Sequence, residues 1–136
     1  LSKKNNWLGY SFEQLIKDHI EQVKKALGIG SVLTRQSTWF IDKRDLSADD
    51  ISGAQIDLII DRRDKAINIC EAKFYSGEFT IDKNYSLNLR NKIAAFKSWT
   101  NTRKALVPTM ITTFGVKNNM YSGNIQQEVV LDDLFE

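Results

Sequence analysis

Apolar residues recur at helical spacing over residues 11–27, at Phe12, Leu15, Ile16, Ile20, Val23 and Leu27. A single stripe of this kind predicts a helix lying on a core. Gly28 and Gly30 come just after the stripe and predict its end, because glycine accepts the left-handed backbone that closes a helix. Ser11 or Tyr10 is the expected start. Residues 31–40 read as a strand, with Val32, Thr34, Thr38 and Trp39 favouring extended backbone. Residues 42–53 are polar and acidic and read as a long, mobile loop.

The pattern then changes from period 3.6 to runs. Residues 54–62 and 66–74 predict two strands joined by a turn at Arg63, Asp64 and Lys65. Ile56, Leu58 and Ile60 fall on one face of the first strand and Ile59 on the other. Both faces are apolar, as in a strand covered on both sides. Residues 75–85 read as a loop or short edge segment, and 86–99 as a second helix. Its inward stripe is Leu87 or Leu89, Ile93, Ala94, Phe96 and Trp99. Residues 105–114 predict a strand in which Pro108 marks a bulge or an edge. A polar turn at 117–119, a short strand at 129–131 and a docked terminal turn over LDDLF complete the chain. The order is helix, three strands, helix, strand, strand. It predicts one α/β domain over residues 1–136, a mixed sheet flanked by helices.

Composition narrows the picture. Of 136 residues, 42% are apolar and 26% charged, which suits one globular domain with a real core. No linker, repeat or low-complexity tract divides it. The net charge of +2 is small for an electrostatic nucleic-acid binder, so any binding face must come from local clustering. Cys70 is the only cysteine, which excludes an internal disulfide and a Cys-rich zinc site. Its mid-strand position predicts a buried, inert thiol. A reducing, cytoplasmic location is expected. No apolar run has the length of a membrane span and no signal peptide is expected, so no membrane partner is expected either. The chain begins at Leu1 rather than Met, and is expected to be a piece of a longer protein.

Three charges interrupt the hairpin's apolar runs: Asp57, Glu71 and Lys73. Charges in such places are costly unless paired, hydrated or metal-bound. With a three-residue turn, opposed residues have numbers that sum to 128, which sets Asp57 against Glu71. Their Cβ atoms would then lie roughly 4.5–5.5 Å apart, on one face. Lys73, two residues after Glu71, shares that face. Opposed like charges are destabilising unless a divalent cation bridges them. Carboxylate oxygens, with the backbone carbonyl of Ala72, are donors that Mg²⁺ accepts. Lys73 would then hold a substrate phosphate or orient water. This chemistry is metal-assisted phosphodiester hydrolysis. The plainer reading is an internal salt-bridge cluster, in which Lys73 neutralises one carboxylate and leaves the other unexplained.

The pattern D-x(13)-E-A-K on a hairpin, in this element order, resembles the PD-(D/E)XK nuclease superfamily. The resemblance implies a restriction-endonuclease-like core of αβββαβ order. It implies Asp57 and Glu71 as metal ligands for Mg²⁺ or Mn²⁺, Lys73 as the catalytic lysine, and Glu13 as a further acid on the first helix. Ile56 stands where the motif name has proline. The segments WLGYSFEQLIKDHIEQVKKALGI, GAQIDLIIDR, ICEAKFYSGEFTIDKNY, LRNKIAAFK and TRKALVPTMITTFG resemble the C-terminal nuclease-like domain of bacterial AAA/archaeal-ATPase-like ATP-binding proteins. That resemblance implies an ATPase module as an N-terminal partner on the parent chain and DNA as substrate. With no G-x-x-x-x-G-K-[ST] phosphate loop, the chain is not itself the ATPase. Two further readings stand beside the nuclease: a catalytically silent module for DNA or protein docking, and a toxin-type nuclease tip.

Secondary candidates follow. Glu13 is equally a first-turn acid complementing the helix dipole. Gln55 shares a face with Asp57 by alternation, and is a substrate-binding candidate or a plain strand residue. Tyr85 and Arg90 are candidates to line a substrate groove, whereas Lys92 reads as a solvated helix position. His19 reads as a packed or half-exposed side chain. Asp61 and Asp64 read as ordinary surface acids. Trp7, Trp39 and Trp99 are expected in the core.

Overall fold

The computed structural model describes residues 2–40 and 55–136, with backbone alone for 2–7. The expected loop at 42–53 and the side chain of Trp7 lie outside the described residues. The element order is α1 (Ser2–Asp18), α2 (Ile20–Ala26), β1 (Thr34–Phe40), β2 (Gln55–Arg62), β3 (Ala66–Lys73), α3 (Lys83–Thr100), β4 (Ala105–Thr112) and β5 (Gln127–Val130). A 3-10 turn at Leu131–Phe135 closes the chain and buries Leu134.

The five strands form one mixed sheet in the order β1-β2-β3-β4-β5. β1, β2 and β3 are antiparallel neighbours, and β3, β4 and β5 are parallel. Helix α3 makes the crossover that a parallel β3–β4 pair requires. One face of the sheet carries α1, α2 and the terminal turn over Leu58, Ile60, Cys70, Ile111 and Val129. The other carries Phe96 and Ile93 of α3 over Ile56, Ile59, Ile67 and Ile69. The molecule is therefore an α/β domain with helices on both sides of its sheet, as the pattern predicts.

The first helical stripe packs as expected, with Phe12, Ile16, Val23 and Leu27 buried. Two boundaries differ from expectation. The helix begins at Ser2, and His19 interrupts it with φ −117° and ψ 35°. There the His19 N–H is shared between the Leu15 and Ile16 carbonyls, and its ring Nδ1 lies 2.8 Å from the Leu15 oxygen. Backbone spacing persists across the break, so periodicity alone does not reveal it. Gly28, at φ +76°, closes α2 as predicted. Its N–H reaches the Lys25 carbonyl and that of Ile29 reaches Lys24, the paired bonds of a Schellman cap.

The β2–β3 turn has the expected length. Leu58 pairs with Cys70, Ile59 with Ile69, Ile60 with Asn68 and Asp61 with Ile67, all summing to 128. Lys65 takes the left-handed conformation, φ 72°, that ends a three-residue hairpin loop. Pro108 lies in the part of β4 that extends past β5, whose pairing begins at Thr109. The missing N–H is tolerated at such an edge. In α3, Leu89 and Phe96 are buried, but Leu87 and Ala94 are exposed and Trp99 is 66% exposed. Of the two alternatives Leu87 and Leu89 it is Leu89 that packs inward, and placing Ala94 and Trp99 in the inward stripe is corrected, because the helix rests on the sheet through a narrower face. Trp39 packs edge-on against Phe96 at 5.2 Å between ring centres.

Candidate functional site

The carboxylates gather where β2 leaves its ladder. Between Ser37 and Trp39, β1 advances by two residues while β2 advances by three, from Ile59 to Ile56. This is a β-bulge at Asp57 and Leu58. It rotates Ile56 onto the face of Ile59, where it packs under α3. The expectation that Ile56, Leu58 and Ile60 share one face is corrected for this reason. The regular β2–β3 pairing also stops at Leu58–Cys70.

Side chains take over the backbone groups that the bulge frees. The Ala72 N–H donates to Asp57 Oδ2 at 2.9 Å. The Asp57 N–H donates to Glu71 Oε2 at 3.2 Å. The two acids are thus neighbours joined through backbone. Asp57, however, lies on the α1 side with Cys70 and Ala72, while Glu71 turns to Lys92 of α3, so the expected opposed pair on one face is corrected. Glu71 is 3% exposed, and its other oxygen meets the ammonium of Lys92 on α3. Lys92 is therefore a member of the site and not a solvated helix position. It lies three residues after buried Leu89 and four before buried Phe96. A charge inside that stripe was the available signal, the same one that singles out Asp57.

Glu13 reaches the site from α1. Its carboxyl is pushed up to about 7, first by burial, then by a hydrogen bond to Asp57 and by that group's charge. Lys17 opposes the shift and Glu71 adds to it. Glu71 is also raised, by burial and by Asp57, against the pull of Lys92. A narrow cavity lined by Glu13, Lys17, Asp57, Cys70 and Ala72 lies between α1 and the sheet. Cys70 is fully buried and its thiol is pushed well above its usual range by that burial. It is packing material, as expected.

Lys73 stands apart from the carboxylates. Its ammonium lies 5.3 Å from the centre of the Tyr85 ring, a cation–π contact. No ion pair among the described residues ties it to Asp57 or Glu71. Tyr85 sits in the first turn of α3, where its N–H donates to the capping Asp82 carboxylate at 2.7 Å. Its hydroxyl rests 3.8 Å from Met110 sulfur and is pushed upward by burial and by Glu71. Gln55 borders a second, wider cleft with Tyr10, Glu13, Lys17 and Phe40. Arg90 is not brought to this end of the sheet's carboxylates; it is exposed and lines a groove with Leu89, Ile93 and Pro108. His19 is half-buried, with its ring edge-on to Phe135.

The donor chemistry fits a hard divalent cation in type and charge. Glu13 and Asp57 are oxygen donors held together against their repulsion, and a cation would relieve that repulsion. Among the described residues, however, no three His, Cys, Asp or Glu side chains are grouped to hold a metal ion, since Glu71 is turned to Lys92. Among the described residues, too, no helix is long and apolar enough to cross a membrane. No protein-family model matches the chain, and no curated protein or solved structure matches it either.

Proposed function

We propose that the domain is a metal-dependent nuclease of the PD-(D/E)XK type with a restriction-endonuclease-like core, cleaving DNA phosphodiesters for an ATPase on the same parent chain. The observation that carries this reading is the excess of acid at the bulge. Glu13 meets Asp57 there and Glu71 accepts from the Asp57 N–H, while Lys73 faces the Tyr85 ring rather than a carboxylate among the described residues. A cluster built only for stability would pair its charges.

Asp57 and Glu71, with the Ala72 carbonyl, would hold Mg²⁺ or Mn²⁺. That ion supplies Lewis-acid stabilisation of phosphoryl oxygens and a more acidic water. Lys73, tied to no carboxylate among the described residues, would offer its charge to the phosphate undergoing attack. Glu13, half protonated near neutral pH, is suited to take a proton from water at its carboxylate. The Tyr85 ring faces the Lys73 ammonium and favours its charge there.

The second reading, a silent docking module with the same fold, has its own support. Lys92 already neutralises Glu71, and the Asp57 carboxylate already caps a backbone N–H. Incubating the chain with plasmid, linear DNA and RNA, in Mg²⁺, Mn²⁺ or EDTA, separates the two. Cation-dependent cleavage that Asp57→Ala and Lys73→Ala abolish is expected. No cleavage by the parent chain, or equal cleavage by both variants, selects the docking module.

A further inference from the structure

Among the described residues seven aromatic side chains are exposed: Tyr10, Phe40, Phe74, Tyr75, Trp99, Phe114 and Phe135. Five of them lie at the carboxylate end of the sheet. Tyr10 precedes Glu13 by one helical turn, and Phe40 pairs with Gln55 at the start of β2. Phe74 and Tyr75 follow Lys73 directly, and Phe114 comes two residues after Thr112, the β4 partner of Lys73. Large apolar rings left in water at one place mark a contact surface.

We propose that the cleft beside the carboxylates binds an unpaired nucleic-acid strand, with bases stacked on Tyr10 and Phe40. The inference deepens the nuclease reading and rests on it for its biological sense. Tyr10, at 68% exposed, and Phe40, at 68%, line the same cleft. Along α1 the cleft wall carries Tyr10, Gln14 and Lys17, spaced at four and three residues and so on one helix face. The other wall is Thr38 and Phe40 of β1, with Gln55 between. The surface therefore offers two ring faces, two amides, one hydroxyl and one ammonium, with the Glu13 carboxylate at its inner end.

This set matches a single strand better than a duplex. Ring faces stack on any base whose own face is free, whereas duplex bases are already stacked. Duplex binders draw on many phosphate contacts. A net charge of +2 supplies few of them. The cleft also shares Glu13 and Lys17 with the narrower cavity that holds Asp57, so a strand seated on the rings leads to the acids.

The test is equilibrium binding by the 136-residue chain in EDTA, so that cleavage plays no part. The probes are a labelled oligothymidylate and a labelled blunt duplex of equal length, at one salt concentration. The single strand is expected to bind at least about tenfold more tightly. Tyr10→Ala and Phe40→Ala are each expected to weaken it by roughly tenfold, the scale of one lost stack. Tyr10→Phe keeps the ring and should bind like the parent. Trp99→Ala, exposed at the far end of α3, should change nothing. Equal affinity for the two probes, or single-strand binding indifferent to both alanine variants, overturns the proposal. Strand-selective binding in EDTA, together with no cleavage when Mg²⁺ or Mn²⁺ is supplied, would refute the nuclease reading alone. Cleavage with no strand preference would refute this inference alone.

Discussion

The β2–β3 hairpin carries charges at both ends and handles them differently. At the turn end, Asp64 accepts from Arg62 at 2.7 Å and Asp61 from Lys104 at 2.6 Å. Arg62 also donates to Asn68, which bonds onward to Thr109 and Gln127 and so ties β3 to β4 and β5. Each acid has its own cation, and both acids are about 40% exposed. Such pairs are solvated and modest in energy. At the bulge end, Glu71 is buried with Lys92, while Glu13 and Asp57 crowd together and Lys73 turns to a ring. The difference separates charges that finish a surface from charges gathered for something else. Counting charges along the strands would not distinguish the two ends; their partners do.

The comparison breaks most decisively in a cleavage assay. Asp57→Ala is expected to lower cation-dependent DNA cleavage by on the order of 10²-fold or more. Asp61→Ala should stay within about twofold. Equal losses would mean that the two ends are not functionally distinct.

Stability gives the next largest contrast. Lys92→Ala leaves Glu71 buried and unpaired, and should remove about 3 kcal/mol in urea unfolding. Lys104→Ala breaks an exposed pair and should remove less than about 1 kcal/mol. A Lys92→Ala cost as small as that of Lys104→Ala would place Glu71 in water.

The two ends should also respond to pH with opposite sign. Glu13 has a folded pKa raised from 4.5 to about 7, so the native state holds its proton more tightly. Its contribution is complete below about 4.5 and lost as pH rises through about 7. Glu71, also raised, acts in the same direction. Asp64 is lowered from 3.8 by Arg62, so its contribution is present above that value and lost as pH falls. Unfolding midpoints from pH 4.5 to 8 should decline in the parent chain and flatten in Glu13→Gln. An unchanged slope in that variant would sever Glu13 from Asp57.

The smallest effect is binding of the cation itself. At a concentration equal to its dissociation constant, Mn²⁺ should add about 0.4 kcal/mol to stability. Asp57→Asn should erase the increment and Asp61→Asn should keep it. Calorimetric unfolding with and without Mn²⁺ reads both.

Much of this architecture is local and could be read along the chain. The stripe from Phe12 to Leu27 needs only the helical period, and its end at Gly28 only the freedom of a residue without Cβ. The three-residue turn follows from where the apolar runs stop, and it correctly pairs Ile59 with Ile69. The order of elements then leaves few ways to cover a sheet on both faces. Asp57, Glu71 and Lys73 stood out because charge inside an apolar run is costly wherever it occurs.

The tertiary structure decided the rest, because it depends on partners distant in sequence. The bulge at Asp57 arises only when β2 must pair with β1 and β3 together, so strict alternation misplaced Ile56. Lys92 finds Glu71 because α3 crosses β3 at that height, 21 residues further along the chain. The same crossing sets Tyr85 under Lys73 and leaves Trp99 and Arg90 outward. Periodicity states which residues seek burial. Which charges then meet is set by how helices cross the sheet, a geometry that no single segment contains.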